Sequence, residues 1–210
     1  RGDGSAVITI PGFMGSDLYQ SEFRFWLRRI GYRPYASRIG RNINCLQRSG
    51  EMLLETIEKA HQETGRRVHV IGHSLGGLLG RSACSLRPDL IASVTTLGSP
   101  IRAINAHPAV IDMSDLVRDT IQLRPTTRKD AHADCFSGKC TCPIVQMARE
   151  PNLQDVPVFA IHTKTDGVVH WEVCIDDEAI ENVEVQGTHC GLAFNPQVFK
   201  HLARFLRKTS

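Results

Sequence analysis

The sequence predicts an α/β protein built around a mostly parallel sheet. Short runs rich in β-branched residues alternate with amphipathic helical patterns, and glycine or proline ends most of these segments. At 210 residues, of which 41% are hydrophobic, the chain is long enough to bury one sizeable core. We therefore predict a single domain over residues 1–210 with one active site.

Strands and helices alternate along most of the chain. Six strands are predicted, at 6–10, 35–39, 68–71, 92–97, 157–163 and 181–185. Four helices are predicted from apolar residues at helical spacing, at 17–30, 51–64, 75–86 and 196–206. Strands that are separated by helices in this way form parallel sheets through βαβ units.

Residues 101–155 break this alternation. The stretch is long, has a polar middle and contains one short amphipathic segment, at 113–123. Loops of this length inside a compact domain usually have a function of their own. We predict a cap or lid inserted into the domain, with a disordered excursion as the alternative.

Charge and hydropathy narrow the classes of function. The 25 basic and 22 acidic residues are interspersed and give a formal charge of +3, which predicts no nucleic-acid partner. No apolar run approaches the roughly 20 residues of a membrane-spanning helix, and no charged-then-apolar leader is present. We expect a soluble chain without an integral membrane segment. The sequence does not decide its cellular compartment, although it favours the cytoplasm, and it does not indicate an oligomeric state.

The cysteines exclude complete disulfide pairing within a monomer, because there are seven of them. Cys135, Cys140 and Cys142 lie close together, a grouping compatible with a local disulfide, a metal site or reduced thiols. Their spacing matches no zinc pattern. Thiols or one disulfide are therefore favoured over a metal.

The motif Gly72-His73-Ser74-Leu75-Gly76 indicates nucleophilic chemistry. A predicted strand precedes it directly and a predicted helix follows it, as a nucleophile elbow requires. The glycines avoid the Cβ clashes that such a tight turn would create. Ser74 is the predicted nucleophile, and the amide of Leu75, at a helix N-terminus, is a predicted donor to the oxyanion.

A serine hydroxyl needs a base to remove its proton, and the base needs an acid to orient it. His189 lies in a glycine-flanked turn after the sixth predicted strand, and Asp166 lies in an Asp-Gly turn after the fifth. The order serine, acid, histidine is the one expected for a hydrolase of this architecture. We predict that His189 is the base and Asp166 its acid; His170 is the alternative base, and a simple turn is the alternative role for Asp166.

Other residues compete less well for these roles. Three acids fall further beyond the fifth strand, namely Glu172, Asp176 and Asp177. His73 adjoins Ser74 in sequence, so we interpret it as a packing or hydrogen-bonding neighbour rather than the base.

The loop at 11–16, after the first strand, is expected to supply the second oxyanion donor. Its candidates are the amides of Phe13 and Met14, of which Phe13 is preferred. An apolar acyl pocket is predicted from four side chains, namely Met14, Val168, Val169 and Trp171.

Four segments in this order, PGFMGS, GHSLGG, TDGVV and GTHCGL, resemble the oxyanion, elbow, acid and histidine loops of bacterial α/β-hydrolase serine esterases and lipases. The resemblance spans nearly the whole chain outside the cap. It implies a doubly wound, mostly parallel six-stranded sheet of order 2-1-3-4-5-6, with Ser74 at the topological switch point. The family's first two strands have no counterpart here, and its usual His-Gly is Pro11-Gly12, which retains the backbone donor.

We therefore predict a serine hydrolase that cleaves carboxylic esters through an acyl-enzyme, with no metal or organic cofactor. The partner is a small-molecule or lipid ester, and the polar middle of the cap favours soluble or short-chain esters. The alternatives are an acyltransferase or thioesterase with the same triad, and a catalytically silent binding module.

Overall fold

The computed structural model describes residues 2–102, 142–153 and 155–209. Six parallel strands form one sheet in the order β2-β1-β3-β4-β5-β6, which confirms the predicted sheet. The strands are β1 (Ala6–Ile10), β2 (Arg33–Ala36), β3 (Val68–His73), β4 (Ile91–Leu97), β5 (Val158–His162) and β6 (Glu181–Glu184).

Five α-helices are described, namely α1 (Ser21–Arg29), α2 (Leu46–Thr64), α3 (Leu75–Leu86), α4 (Pro143–Arg149) and α5 (Pro196–Thr209). Short 3₁₀ helices occur at Asp17–Gln20, Pro88–Leu90, Trp171–Cys174 and Cys190–Phe194. In the described part of the chain, no helix is both long and apolar enough to cross a bilayer.

Each face of the sheet is covered by its own hydrophobic core. On one face, residues of β1, β3 and β4 pack against α2, α3 and Ile144 of α4. On the other, Val7 and Phe159 lie in a cluster with residues of α1 and α5, where Phe159 stacks on Phe205 at 4.5 Å between ring centroids. The carboxyl ends of the strands therefore meet along one edge of a sheet that both helix layers hold in place.

The second strand differs from the prediction, since it occupies Arg33–Ala36 rather than 35–39. Its pairing with β1 ends at Ala36. Beyond this point the Asp17 carboxylate accepts hydrogen bonds from the amides of Ser37 and Arg38, at 2.9 and 3.0 Å. The side chain of Asp17 thus replaces the backbone acceptors that a neighbouring strand would provide, and β2 ends here.

Two predicted helices also differ in their bounds. The helix predicted at 17–30 is divided into a 3₁₀ turn at Asp17–Gln20 and α1, and buried Gln20 at the junction donates to the Ile10 carbonyl at 3.1 Å. The helix predicted from residue 51 begins at Leu46 and passes through Gly50. There a Cβ would lie 2.7 Å from Ile144 Cδ1, so this glycine makes room for α4 and does not end the helix.

The predicted cap at 101–155 falls largely outside the described residues, and the amphipathic segment at 113–123 lies wholly outside them, as do Cys135 and Cys140. Within the described part, α4 packs its Ile144 into the core beside α2. Cys142, directly before α4, clusters with Cys45 and Val145.

Candidate active site

Ser74 lies in a sharp turn between β3 and α3. Its backbone has φ 52° and ψ −123°, a conformation that non-glycine residues rarely adopt. The Ser74 amide donates to the Leu97 carbonyl at 2.8 Å, and its carbonyl accepts from the Gly77 amide at 2.9 Å. Holding such a residue costs about 1–3 kcal/mol, which the surrounding packing must offset.

The two motif glycines have no room for a side chain. A Cβ at Gly72 would overlap the Gly76 carbonyl, and a Cβ at Gly76 would overlap the Ile10 carbonyl of β1. Both obstacles are backbone atoms within the central sheet and the start of α3, so they cannot move aside cheaply. The conformation of Ser74 is thus set by backbone packing.

Asp166 and His189 form a buried pair at the ends of β5 and β6. His189 Nδ1 lies 2.7 Å from Asp166 Oδ2, and both residues are buried. Asp166 Oδ1 accepts the amides of Val168 and Val169, at 3.0 and 2.7 Å. Because a carboxylate accepts the hydrogen bond here, a neutral imidazole at this position carries its proton on Nδ1 and its lone pair on Nε2.

This pair and Ser74 meet around the end of β4. Leu97 binds the Ser74 amide, and a Cβ on its neighbour Gly98 would lie 3.2 Å from His189 Nδ1 and 3.3 Å from Asp166 Oδ2. The three predicted residues therefore share one edge of the sheet. Among the hydrogen bonds of the described residues, none joins Ser74 Oγ to His189.

The loop after β1 is held by Asn42. The side chain of buried Asn42 donates to the Pro11 carbonyl at 2.8 Å, while its backbone accepts from the Met14 amide at 3.0 Å and donates to the Gly15 carbonyl at 2.9 Å. The Met14 amide is therefore committed to Asn42, which argues against Met14 as the donor to the oxyanion. Leu75, the other predicted donor, is the first residue of α3.

His73 lies between the elbow and the histidine loop. Its Nε2 donates to the His189 carbonyl at 2.9 Å, and the two imidazole centroids are 4.8 Å apart. Burial, together with the nearby His189, lowers the pKa of His73 to about 4. His73 is therefore neutral near pH 7 and acts as a hydrogen-bonding neighbour.

The four residues predicted to bind substrate occupy different environments. Met14 is 38% exposed on the loop after β1, whereas Val169 is buried and Val168 is half-buried. Trp171 stacks on His162 at 5.7 Å between centroids, under the Lys164 ammonium at 5.2 Å. Their role in substrate binding stays a prediction.

The rival acids and the rival base have other surroundings. Asp176 forms a buried ion pair with Arg81 of α3, and exposed Asp177 pairs with Arg102. Glu172 and His170 are exposed. Burial raises the pKa of Asp176 despite the opposing effect of the Arg81 guanidinium. Asp176 therefore links α3 to the segment before β6, and it is not the acid that contacts His189.

Sequence reasoning did not identify two further residues beside the site. One is Asn42, described above; the other is Tyr19, whose hydroxyl donates to the Cys190 carbonyl at 2.7 Å. Their partners lie 31 and 171 residues away in sequence. No local pattern marks such contacts, although an asparagine after a predicted strand is a weak signal of a loop-holding side chain.

Comparison with known proteins identifies related sequences. A family model described as the alpha/beta hydrolase fold matches residues 49–141. A triacylglycerol lipase of Pseudarthrobacter phenanthrenivorans is 31% identical over 133 residues, which are 57% of this chain and 38% of the relative. One from Vibrio cholerae is 40% identical over 121 residues, 55% of this chain and 36% of the relative. The chain therefore matches little more than a third of the length of these relatives.

Solved structures resemble the chain over nearly all of its length. A Bacillus licheniformis lipase in mature form has a TM-score of 0.71 at 15% identity, covering 98% of this chain and 93% of that one. A metagenomic carboxyl esterase has a TM-score of 0.72 at 14% identity, covering 99% and 77%. At such identities the likeness concerns the fold. The sheet order, the family model and the structural neighbours together establish that the chain has the α/β-hydrolase fold, and the two relatives show that part of it is similar in sequence to bacterial triacylglycerol lipases.

Proposed function

We propose that the protein is a carboxylic ester hydrolase that works through an acyl-enzyme on Ser74. His189 takes the hydroxyl proton of Ser74 on Nε2 while Oγ attacks the ester carbonyl carbon. The resulting imidazolium is stabilised by the Asp166 carboxylate through Nδ1. The proton then passes to the leaving alcohol as the ester bond breaks, and an acyl-enzyme remains.

Hydrolysis of the acyl-enzyme repeats these steps with water as the nucleophile. His189 removes a proton from water, the hydroxide oxygen attacks the acyl carbon, and the proton returns to Ser74 Oγ as the acid departs. In both halves the carbonyl oxygen becomes negative. The amides of Phe13 and Leu75 are the proposed donors to it, the latter supported by its place at the start of α3.

The observation that carries this proposal is the buried 2.7 Å contact of His189 Nδ1 with Asp166 Oδ2, beside the strand end that binds the Ser74 amide. Such a contact fixes the imidazole tautomer that acts as a base through Nε2. A strained serine backbone at the start of a helix, at the same sheet edge as an oriented imidazole, fits nucleophilic acyl transfer.

The proposed substrates are esters of small molecules or lipids. The relatives named triacylglycerol lipase support a carboxylic ester as the reacting group. The polar middle of the predicted cap favours soluble or short-chain acyl esters among them. A series of p-nitrophenyl esters of rising chain length measures this preference, and a steep preference for long chains would reverse it.

The serine itself is tested by Ser74→Ala. We expect ester hydrolysis to fall by roughly 10⁴-fold or more, because the nucleophile is removed, with an unchanged thermal midpoint. Ser85→Ala is the control for loss of a hydroxyl, since Ser85 lies in α3, the helix that follows Ser74, and its Oγ bonds the carbonyls of Arg81 and Met147 at 3.2 and 3.3 Å. Full activity in purified Ser74→Ala would refute the proposal, and an inactive wild type would indicate a silent binding module.

A further inference from the structure

Two successive carbonyls of the histidine loop are each bound by a side chain from another element. His73 Nε2 donates to the His189 carbonyl at 2.9 Å, and Tyr19 Oη donates to the Cys190 carbonyl at 2.7 Å. His73 directly precedes Ser74, and Tyr19 lies in the 3₁₀ turn that follows the loop after β1. We call these two hydrogen bonds the carbonyl clamp.

The clamp adds to other hydrogen bonds that hold the same segment, in which the Gly187 carbonyl accepts from the hydroxyls of Thr163 and Thr165 at 2.9 and 2.6 Å. Two glycines flank His189 in this loop, Gly187 and Gly191, and Gly187 has φ 148°, a value that residues with side chains disfavour. The His189 amide donates to the Asp166 carbonyl at 3.0 Å. That bond holds the amide side of His189. The clamp holds its carbonyl side, where the His189 carbonyl also accepts from the Leu192 amide at 3.3 Å.

The neutral state of His73 suits it to this place. Burial keeps the pKa of its imidazole near 4, so at neutral pH it donates from Nε2 and carries no charge. Its ring centroid is 4.8 Å from that of His189. A charged ring at this distance would oppose the imidazolium that the proposed reaction forms on His189. His73 therefore provides a hydrogen bond without a competing charge.

Tyr19 is held in place by the same loop that it binds. Its ring meets Phe194 edge-on, with centroids 5.0 Å apart and planes at 86°. Phe194 ends the 3₁₀ turn Cys190–Phe194 that follows His189. Burial raises the pKa of the Tyr19 phenol, so the hydroxyl stays protonated and remains a donor.

We propose that His73 and Tyr19 are positioning residues for His189. By fixing the carbonyls at positions 189 and 190, they hold the imidazole so that Nδ1 keeps its bond to Asp166 while Nε2 faces the elbow. This inference rests on the proposed function of Ser74 and His189. Because proton transfer depends steeply on geometry, a displacement of about 1 Å can slow a reaction about a hundredfold.

Tyr19→Phe tests the clamp, because it removes one oxygen and keeps the ring against Phe194. We expect kcat for a short p-nitrophenyl ester to fall about tenfold with KM within about twofold of wild type, since the contact bears on geometry and not on binding. Tyr35→Phe is the matched control. Its hydroxyl bonds Glu63 Oε2 at 2.8 Å on the outer strand, and its loss should leave kcat unchanged.

His73 offers a test by rescue. A glutamine amide can place its nitrogen near the position of Nε2, whereas asparagine is too short to reach the His189 carbonyl. We therefore expect His73→Gln to retain most of kcat and His73→Asn to lose about tenfold or more. Equal kcat in the two variants, or equal kcat in Tyr19→Phe and Tyr35→Phe, would overturn the clamp.

A second readout separates the clamp from the proposed function. The His189 Nδ1 proton, assigned by its loss in His189→Gln, can be followed by proton NMR. We expect its exchange with water to accelerate at least about fivefold in Tyr19→Phe and to be unchanged in Tyr35→Phe, because loop opening exposes it. Unchanged exchange with unchanged kcat overturns the clamp alone. Accelerated exchange in a protein whose ester hydrolysis does not depend on Ser74 supports the clamp and overturns the proposed function.

Discussion

The elbow and the histidine loop are built in different ways, although both lie at the carboxyl edge of the sheet. At the elbow, backbone atoms fill the space where side chains of Gly72 and Gly76 would be. In the histidine loop, the side chains of His73, Tyr19 and Asp166 hold the chain through single hydrogen bonds. Changes at the two elbow glycines should therefore act on folding, and changes around the loop should act on catalysis.

Among the contacts that hold the histidine loop, the largest effect is expected for Asp166→Asn. The amide oxygen can still accept the amides of Val168 and Val169, but the amide nitrogen would face His189 Nδ1 and favour the wrong tautomer. We expect kcat/KM to fall by about 10³- to 10⁴-fold, with a free energy of unfolding within about 1 kcal/mol of wild type.

Asp177→Asn is the control for that measurement, because exposed Asp177 pairs with Arg102 away from the histidine loop. Steady-state kinetics and urea unfolding on both variants test the comparison. An active Asp166→Asn protein would remove Asp166 from the proposed triad and leave it the role of a turn residue.

The next largest effect is expected for Gly72→Ala, at the elbow. The added methyl would overlap the backbone of α3, so the free energy of unfolding should fall by about 4 kcal/mol or more. Gly80→Ala, within α3, is the control. Its Cβ would lie 3.0 Å from a methyl of Val70, which can adjust, and alanine favours the helix. Chemical denaturation followed by circular dichroism would contradict this account if both variants were equally stable.

The third effect concerns the stability of the protein in acid, to which two buried histidines of β3, the strand before the elbow, contribute. Burial lowers the pKa of both His69 and His73 to about 4. The unfolded chain binds protons on these rings from about pH 6.5 downwards and the folded chain does not, so the free energy of unfolding falls as pH falls from 6.5 to 4. Each ring contributes about 3 kcal/mol to this loss.

His69→Gln isolates one of these contributions. The variant should lose about 3 kcal/mol less than wild type between pH 6.5 and 4, measured by urea unfolding at several pH values. The same pH dependence in both proteins would show that His69 is not buried in its neutral form.

The difference between the two regions also explains which parts were predictable from sequence. The elbow has a local signature, because the strand, the two glycines and the helix are consecutive. Asp166 and His189 follow predicted strands, and parallel strands bring such positions to one edge. These placements therefore follow from short patterns, whereas the sheet order was implied by the resemblance to bacterial esterases and lipases.

Features that depend on long-range contacts were missed or misplaced. The end of β2 depends on Asp17, which binds the amides of Ser37 and Arg38 across about 20 residues. Glycine is common at the end of a helix, but Gly50 lies inside α2, where the missing side chain makes room for Ile144 of α4. Asn42 and Tyr19 act on carbonyls of distant segments, and a hydrogen bond to a backbone oxygen leaves no pattern near its donor.

Covalent labelling of the purified protein with a fluorophosphonate tests the central claim most directly. We predict one phosphonyl group per chain, located by mass spectrometry on the peptide that contains Ser74, because an activated serine attacks phosphorus as it attacks an ester carbon. Labelling should slow by at least about 10³-fold in Asp166→Asn. Labelling at another residue, or at Ser74 with equal rates in the two proteins, would contradict the assignment of Ser74, His189 and Asp166 as one catalytic unit.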